Sequence, residues 1–163
     1  MRLGRLAALL VAAALAAARA WGDGAPRQAE RPFDPARAEQ KEFGIAGDPN
    51  RVTMSVGLAM LDTMRFVPDR IEVRVGENVR LMVRNNGKVQ HEMVLGSLDE
   101  LKRHAEMMRG HPDMKHDEPH MAHVAPDKIE WIVWTFNRPG EFYYGCLVPG
   151  HFEAGMLGKI VVR

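Results

Sequence analysis

Arg70-Ile71-Glu72-Val73-Arg74-Val75-Gly76-Glu77-Asn78-Val79-Arg80-Leu81-Met82-Val83-Arg84-Asn85-Asn86-Gly87 is the stretch that decides the fold. Charged and apolar residues alternate from Arg70 to Val75, so one face of an extended chain is buried and the other stays wet. Gly76-Glu77-Asn78 turns the chain. Val79, Leu81 and Val83 then alternate with Arg80, Met82 and Arg84, and Asn86-Gly87 makes the next turn. A period of two, broken twice by turn residues, predicts strands.

The same pattern continues outward. Val52-Thr53-Met54-Ser55-Val56 reads as a strand upstream, and His91 to Leu95 as a short one downstream. Ile129 to Phe136 follows, then a turn at Asn137-Arg138-Pro139-Gly140, Glu141 to Gly145, and finally Leu157 to Val162. About seven short strands separated by turn signals predict an all-β fold, an antiparallel Greek-key β-sandwich or barrel. One helix interrupts it, Leu98 to Arg109, stopped by Gly110 and Pro112. The expected domain is therefore residues 51–163, with a helical, His/Met-rich insert at about 97–127. Residues 21–50 are rich in Ala, Arg, Glu, Gly and Pro and carry neither period. They read as a flexible tail with a helical turn near Ala36 to Phe43.

Residues 1–20 have another character. Arg2 and Arg5 precede an unbroken run of Leu, Val and Ala from Leu6 to Ala18, and Ala18-Arg19-Ala20 supplies a small-x-small cleavage pattern. The apolar run of 13 residues is shorter than the roughly 20 that span a bilayer. The expectation is a signal peptide that directs the chain to the periplasm and is removed, with no stable membrane insertion afterwards. Of the 22 Lys+Arg, three (Arg2, Arg5, Arg19) lie in this leader, which leaves 22 − 3 = 19 against 21 Asp+Glu. A binder of nucleic-acid backbone needs a basic face, so nucleic acid is excluded as a partner.

Cys146 is the only cysteine, so no internal disulfide can form. A lone thiol in an exported chain calls for an occupant. Its neighbours supply one: Cys146-Leu147-Val148-Pro149-Gly150-His151-Phe152-Glu153-Ala154-Gly155-Met156 sets a thiolate, an imidazole and a thioether in one loop, spaced C-x4-H-x4-M. Pro149-Gly150 turns His151 back toward Cys146, and Gly155 bends the chain before Met156. A trigonal His₂Cys site needs a second histidine. His91 is the natural candidate, because the start of one strand and a loop between two late strands can meet at one pole of a sandwich. Two imidazoles, one thiolate and a long axial thioether suit type 1 copper. Zinc would also accept His₂Cys, but an axial Met argues for copper. Bound metal keeps such a thiol deprotonated.

On these residues the chain from about Arg51 to Arg163 resembles the cupredoxins, the single-copper blue or green proteins. The matching stretches are Val83-Arg84-Asn85-Asn86-Gly87 leading to His91, and Tyr144-Gly145-Cys146 through Pro149-Gly150-His151 to Gly155-Met156. Met64-Arg65-Phe66-Val67-Pro68, His91-Glu92-Met93-Val94-Leu95-Gly96 and the insert resemble a narrower group, the small periplasmic copper-tolerance cupredoxins of the CopI type. The resemblance implies copper as cofactor, with His91, Cys146, His151 and Met156 as its ligands. One departure stands out. Many electron-transfer cupredoxins carry Asn directly after the first His, where its side chain ties the two ligand loops together; here that residue is Glu92.

The insert is the second chemical signal. His104, His111, His116, His120 and His123 share twenty residues with Met107, Met108, Met114 and Met121. On a helical wheel Leu98, Leu101, Ala105 and Met108 form one face, while His104, Met107 and His111 form a separate stripe. Met114 to His123 shows no apolar period and is expected to be exposed. Met suits Cu(I) and His suits Cu(II), so a second copper site is expected among His104, Met107, His111, His116, His120 and His123. Plainer roles are expected elsewhere: packing for Trp131, Trp134, Phe142, Tyr143 and Tyr144, and solvated carboxylates at Asp99, Glu100 and Glu106.

A dedicated electron carrier needs one metal site and has no use for nine further soft or borderline ligands. The expected function is therefore copper tolerance, sequestering or redox-buffering periplasmic copper, without enzymatic activity. The alternative is a one-electron carrier serving a periplasmic redox partner. Multicopper enzymes of this resemblance need repeated domains and His-x-His or His-Cys-His ligands that this chain lacks, and a dinuclear copper site needs two cysteines.

Overall fold

The structure is a computed structural model that describes residues 33–111, 114 and 117–163. The expected leader, the first part of the tail and His116 lie outside the described residues. Among the described residues eleven strands and one α-helix follow in order: β1 (Gln40–Lys41), β2 (Gly44–Ala46), β3 (Met54–Leu61), β4 (Arg65–Val67), β5 (Arg70–Val73), β6 (Asn78–Asn85), β7 (His91–Gly96), α1 (Leu98–Gly110), β8 (Met121–Val124), β9 (Ile129–Thr135), β10 (Gly140–Gly145) and β11 (Leu157–Val162). They form two sheets, one in the order β1-β2-β9-β6-β3-β4 and the other β5-β11-β10-β7-β8.

The sandwich expected from the alternation is present, but its sheets are mixed rather than antiparallel. β3 and β6 run parallel with Leu58 opposite Val83, and β5 and β11 run parallel with Ile71 opposite Ile160. Between β3 and β6 the chain makes the β3–β4 hairpin and crosses to the other sheet as β5 before returning. A period of two tells which face of a strand is buried. It carries no information about the direction of the neighbour, which this crossover sets.

Between the sheets lies a core that includes Leu58, Met60, Phe66, Val79, Leu81, Val83, Ile132, Trp134, Phe136, Tyr144 and Ile160. Trp134 and Tyr144 pack there as expected, and each polar tip has a partner: Trp134 Nε1 donates to Phe43 O (2.9 Å) and the Tyr144 hydroxyl to Pro68 O (2.8 Å). A smaller cluster of Val94, Leu101, Ala105, Met108, Met121 and Leu147 seats α1 on the second sheet. The helix begins with a capping box, in which Ser97 Oγ accepts from the Glu100 amide and Glu100 Oε2 accepts from the Ser97 amide. Glu100, expected to be solvated, is thus half-buried and fixes the first turn.

Beyond β4, which the alternation did not show, two stretches depart from the sequence reading. Residues 40–46, read as part of a tail with a helical turn, instead form β1 and β2. Ile45 pairs with Thr135 on β9, and buried Phe43 stacks on Trp134 at 5.2 Å. The turn is a short 3-10 segment, Pro35–Arg37, capped by Asp34. Strands of two and three residues are too short to show a period. The second departure is β8. Met121 and Ala122 were expected to be exposed but are buried, as is the following Val124, with His91 opposite Val124 and Glu92 opposite His123. β7 is buried along its whole length, with core on one face and α1 on the other, so its open edge has to be paired.

Candidate metal centre

Four chain segments converge at one pole of the sandwich. Asn85, fully buried at the end of β6, holds the turn ahead of β7: its side-chain amide donates to Val89 O and Val124 O (2.8 Å each), and its Oδ1 accepts from the Gly87 amide (2.8 Å). That network delivers His91 as the first residue of β7. Cys146 follows β10 directly. The loop beyond it is drawn tight by backbone bonds from His151 N to Val148 O (2.9 Å), Met156 N to His151 O (3.0 Å) and Cys146 N to Met156 O (3.1 Å). Gly150 (φ +88°) and Gly155 (φ +89°) take left-handed conformations that let the loop fold back twice.

The result is a compact donor set. His91 Nδ1 lies 3.2 Å from His151 Nδ1; Cys146 Sγ lies 3.3 Å from His151 Nδ1 and 3.9 Å from His91 Nδ1. An ion with metal–N distances of about 2.0 Å and a metal–S distance of about 2.3 Å in a trigonal plane needs separations of about 3.5 Å (N–N) and 3.7 Å (N–S). The observed triangle fits such an ion. His91, Cys146 and Met156 are each fully buried, while His151 is half-buried at the rim. Met156 is buried in the same core cluster as Cys146. Burial pushes the Cys146 thiol up to about 12, opposed in part by the Glu92 and Val148 amides that point at the sulfur. Burial, then the nearby His91, lowers the His151 imidazole below its ordinary value. Each effect favours the neutral form in the absence of a cation; a bound cation reverses the balance at sulfur.

The family model of copper-binding proteins of the plastocyanin/azurin type matches residues 52–163. The chain belongs to that copper-binding family. The copper-resistant cuproprotein CopI of Rubrivivax gelatinosus is 46% identical over 121 residues, covering 74% of this chain and 73% of that one. CopI of Vibrio cholerae serotype O1 is 34% identical over 120 residues, 73% of this chain and 71% of its own. Among solved structures, auracyanin B superposes with a TM-score of 0.63 at 22% identity, covering 74% of this chain and 96% of that chain. The dithionite-reduced auracyanin of Roseiflexus castenholzii gives 0.59 at 18% identity, with 69% and 99% covered. The resemblance read from the loop residues, and the cupredoxin-like fold it implied, both hold.

Around the cupredoxin donor set lie two supports that the sequence reading did not assign. His91 Nε2 sits 3.2 Å from Asp62 Oδ1, a carboxylate that also accepts the Lys88 (2.8 Å) and Val89 (3.4 Å) amides. Those contacts, the Lys88 amide first, hold its pKa below the ordinary carboxylate value. A carboxylate on the far ring nitrogen fixes the tautomer that leaves Nδ1 open to a metal. The second support is Glu92. Its backbone amide points at Cys146 Sγ (3.4 Å), its Oε1 accepts from the Leu147 amide (3.0 Å), and its Oε2 meets His123 Nδ1 (3.0 Å). Glu92 therefore ties the segment after Cys146 to the start of β7. Its place directly after His91 was the one sequence signal available.

The five described candidates for a second site, His104, Met107, His111, His120 and His123, do not come together as one cluster. His104 and His120 are half-buried and line a cavity of about 90 Å³ with Glu100, Lys41 and Phe43. Met107 and His111 are exposed at the C-terminal end of α1. His123 sits on β8 against Glu92. His116 lies outside the described residues. Among the described residues, His91, Cys146 and His151 alone bring three His, Cys or acidic donors within 4.8 Å of one another. His120 packs edge-on to Phe43 (5.5 Å) and Trp134 (5.9 Å), and burial lowers its pKa to about 4.

Proposed function

We propose that this chain is a periplasmic copper-resistance protein that holds one copper in a type 1 centre. His91, Cys146, His151 and Met156 would hold it, two imidazoles and two sulfur donors of a kind that suits copper. The observation that carries this reading is the convergence of two imidazole nitrogens and one cysteine sulfur on a single spot with separations of 3.2 to 3.9 Å. The copper-resistance role is carried over from its relatives, the copper-resistant cuproproteins CopI. Bound copper would supply a one-electron couple between Cu(I) and Cu(II). The protein's part is to keep the donor set rigid and dry, so that little rearranges when an electron arrives or leaves.

The insert adds a second copper-binding region, with His104 and His120 facing one cavity and Met107 and His111 on the adjoining helix end. Such a region would let the protein sequester copper beyond the type 1 centre and buffer it between oxidation states. The leader, Met1 to Ala20, accounts for export. Among the described residues no helix is long and apolar enough to cross a membrane.

A second reading, a dedicated electron carrier, has one observation in its favour: His151 alone of the four ligands reaches the protein surface, where an electron could enter. A Cu(II) titration of the mature protein separates the two. A thiolate-to-copper band saturating at one equivalent, followed by further copper without added colour, supports copper resistance. Saturation at one equivalent with no further uptake supports the carrier. Absence of the band at any ratio refutes the type 1 assignment.

A further inference from the structure

We infer that the insert is coupled to the copper centre through Glu92, and that His123 is the outer end of this link and not a ligand of a second metal. The coupling to copper rests on the type 1 reading above; the link itself is a property of the protein alone. Glu92 is 6% exposed, with its carboxylate wedged between the Cys146 loop and β8. A buried carboxylate only accepts hydrogen bonds, so each oxygen needs a donor. Leu147 N–H supplies one, at 3.0 Å to Oε1, and His123 Nδ1 the other, at 3.0 Å to Oε2. An Asn or Gln amide would need a donor at its one oxygen only, and an acceptor rather than a donor at its nitrogen. Glutamate at this position therefore explains why a histidine stands opposite it across the β7–β8 ladder.

Two consequences follow from that geometry. The carboxylate holds the amide of Leu147, the residue after Cys146, while the Glu92 backbone amide points at the cysteine sulfur. Glu92 is thus a positioning residue for the thiolate ligand from both ends. It also sets a negative charge beside the ligand loop in a dry environment, which favours Cu(II) over Cu(I). His123, 42% exposed at its side chain, anchors that charge from the insert. Removing the anchor loosens the Cys146 loop; removing the charge shifts the redox balance.

The test uses the mature chain as wild type, Glu92→Gln, His123→Ala and His123→Asn, the last placing an amide nitrogen close to the position of Nδ1. In the metal-free protein, His123→Ala is expected to speed hydrogen exchange of the Leu147 amide by about tenfold, and His123→Asn to restore it. In the copper-loaded protein, Glu92→Gln is expected to favour Cu(I) by about tenfold, raising the potential by about 59 mV for one electron. His123→Ala is expected to shift the thiolate-to-copper band while leaving the copper count per chain unchanged. The inference is overturned if His123→Ala lowers the copper count while the band and the Leu147 exchange stay as in wild type. An unchanged potential in Glu92→Gln overturns the charge argument, and unchanged Leu147 exchange in His123→Ala overturns the tie. A wild-type protein that shows no band with Cu(II) defeats the type 1 reading instead, and the exchange measurement still decides the tie. His123 is exposed, so its variants keep the test open should Glu92→Gln fail to fold.

Discussion

Replacing His120 with leucine should remove a large part of the acid sensitivity of the metal-free protein. The ring packs edge-on against Phe43 and Trp134, and its Nδ1 is buried with no hydrogen-bond partner among the described residues. Burial holds its pKa at about 4, against 6.5 for the unperturbed group. At pH 7 the ring is neutral folded or unfolded, so titration contributes nothing. As pH falls below 6.5 the unfolded chain takes up a proton that the folded chain refuses until about pH 4, and stability is lost across that window. The full loss approaches about 3 kcal/mol, of which about 2 kcal/mol falls between pH 7 and pH 5. Other groups titrate in the same range, so the comparison has to be a double difference. Urea unfolding of the metal-free wild type and His120→Leu at pH 7 and pH 5 provides it. The stability gap between the two proteins should move by about 2 kcal/mol in favour of the variant at pH 5. Leucine also satisfies the apolar surroundings, so the variant should be no less stable than wild type at pH 7. A gap that moves by less than about 0.5 kcal/mol would refute the claim that His120 is held neutral by burial.

Three further outcomes are expected. Cys146→Ala should abolish the intense visible band of the copper protein while metal analysis still finds copper in the insert; loss of all copper would count against the second binding region. Asp62→Ala should weaken copper binding by about 10–100-fold in a chelator competition, since Asp62 holds His91 Nε2 at 3.2 Å and accepts the Lys88 and Val89 amides of the turn ahead of it. Gly158→Ala would set a methyl group 2.2 Å from the Tyr144 ring, with Tyr144 fully buried and its hydroxyl bonded to Pro68 O. It should destabilise by about 3 kcal/mol in urea unfolding, and a cost below about 1 kcal/mol would mean that the ring can move aside.

The legible part of the fold was the part with enough residues to carry a period. β5 and β6 alternate over four and eight residues, with Ile71, Val73, Leu81 and Val83 facing inward. The helix was legible too, because Leu101, Ala105 and Met108 recur at helical spacing and are its buried residues. β1, β2 and β8 were hidden for one shared reason. Each has at most four residues and owes its conformation to a strand edge elsewhere in the chain. The Met121-Ala122-His123-Val124 segment reads as a polar loop until β7 is seen to need a partner.

By itself the sequence determined the chemistry of the centre. One cysteine, a histidine five residues on, a methionine five beyond that and a histidine after an Asn-Gly turn form a donor list that local spacing makes plain, because three of the four sit on one loop. Only the tertiary structure decided how that list is held. Asp62 lies 29 residues before His91, Glu92 acts on Leu147 55 residues away, and His123 reaches Glu92 across a sheet ladder. Contacts between residues so far apart in the chain depend on which strands become neighbours and in which register, and no local period encodes that. The same reason divides the insert. Its histidines share one stretch of sequence, yet pairing of β8 with β7 turns His123 toward Glu92, while His120 turns into the core beside Phe43 and Trp134.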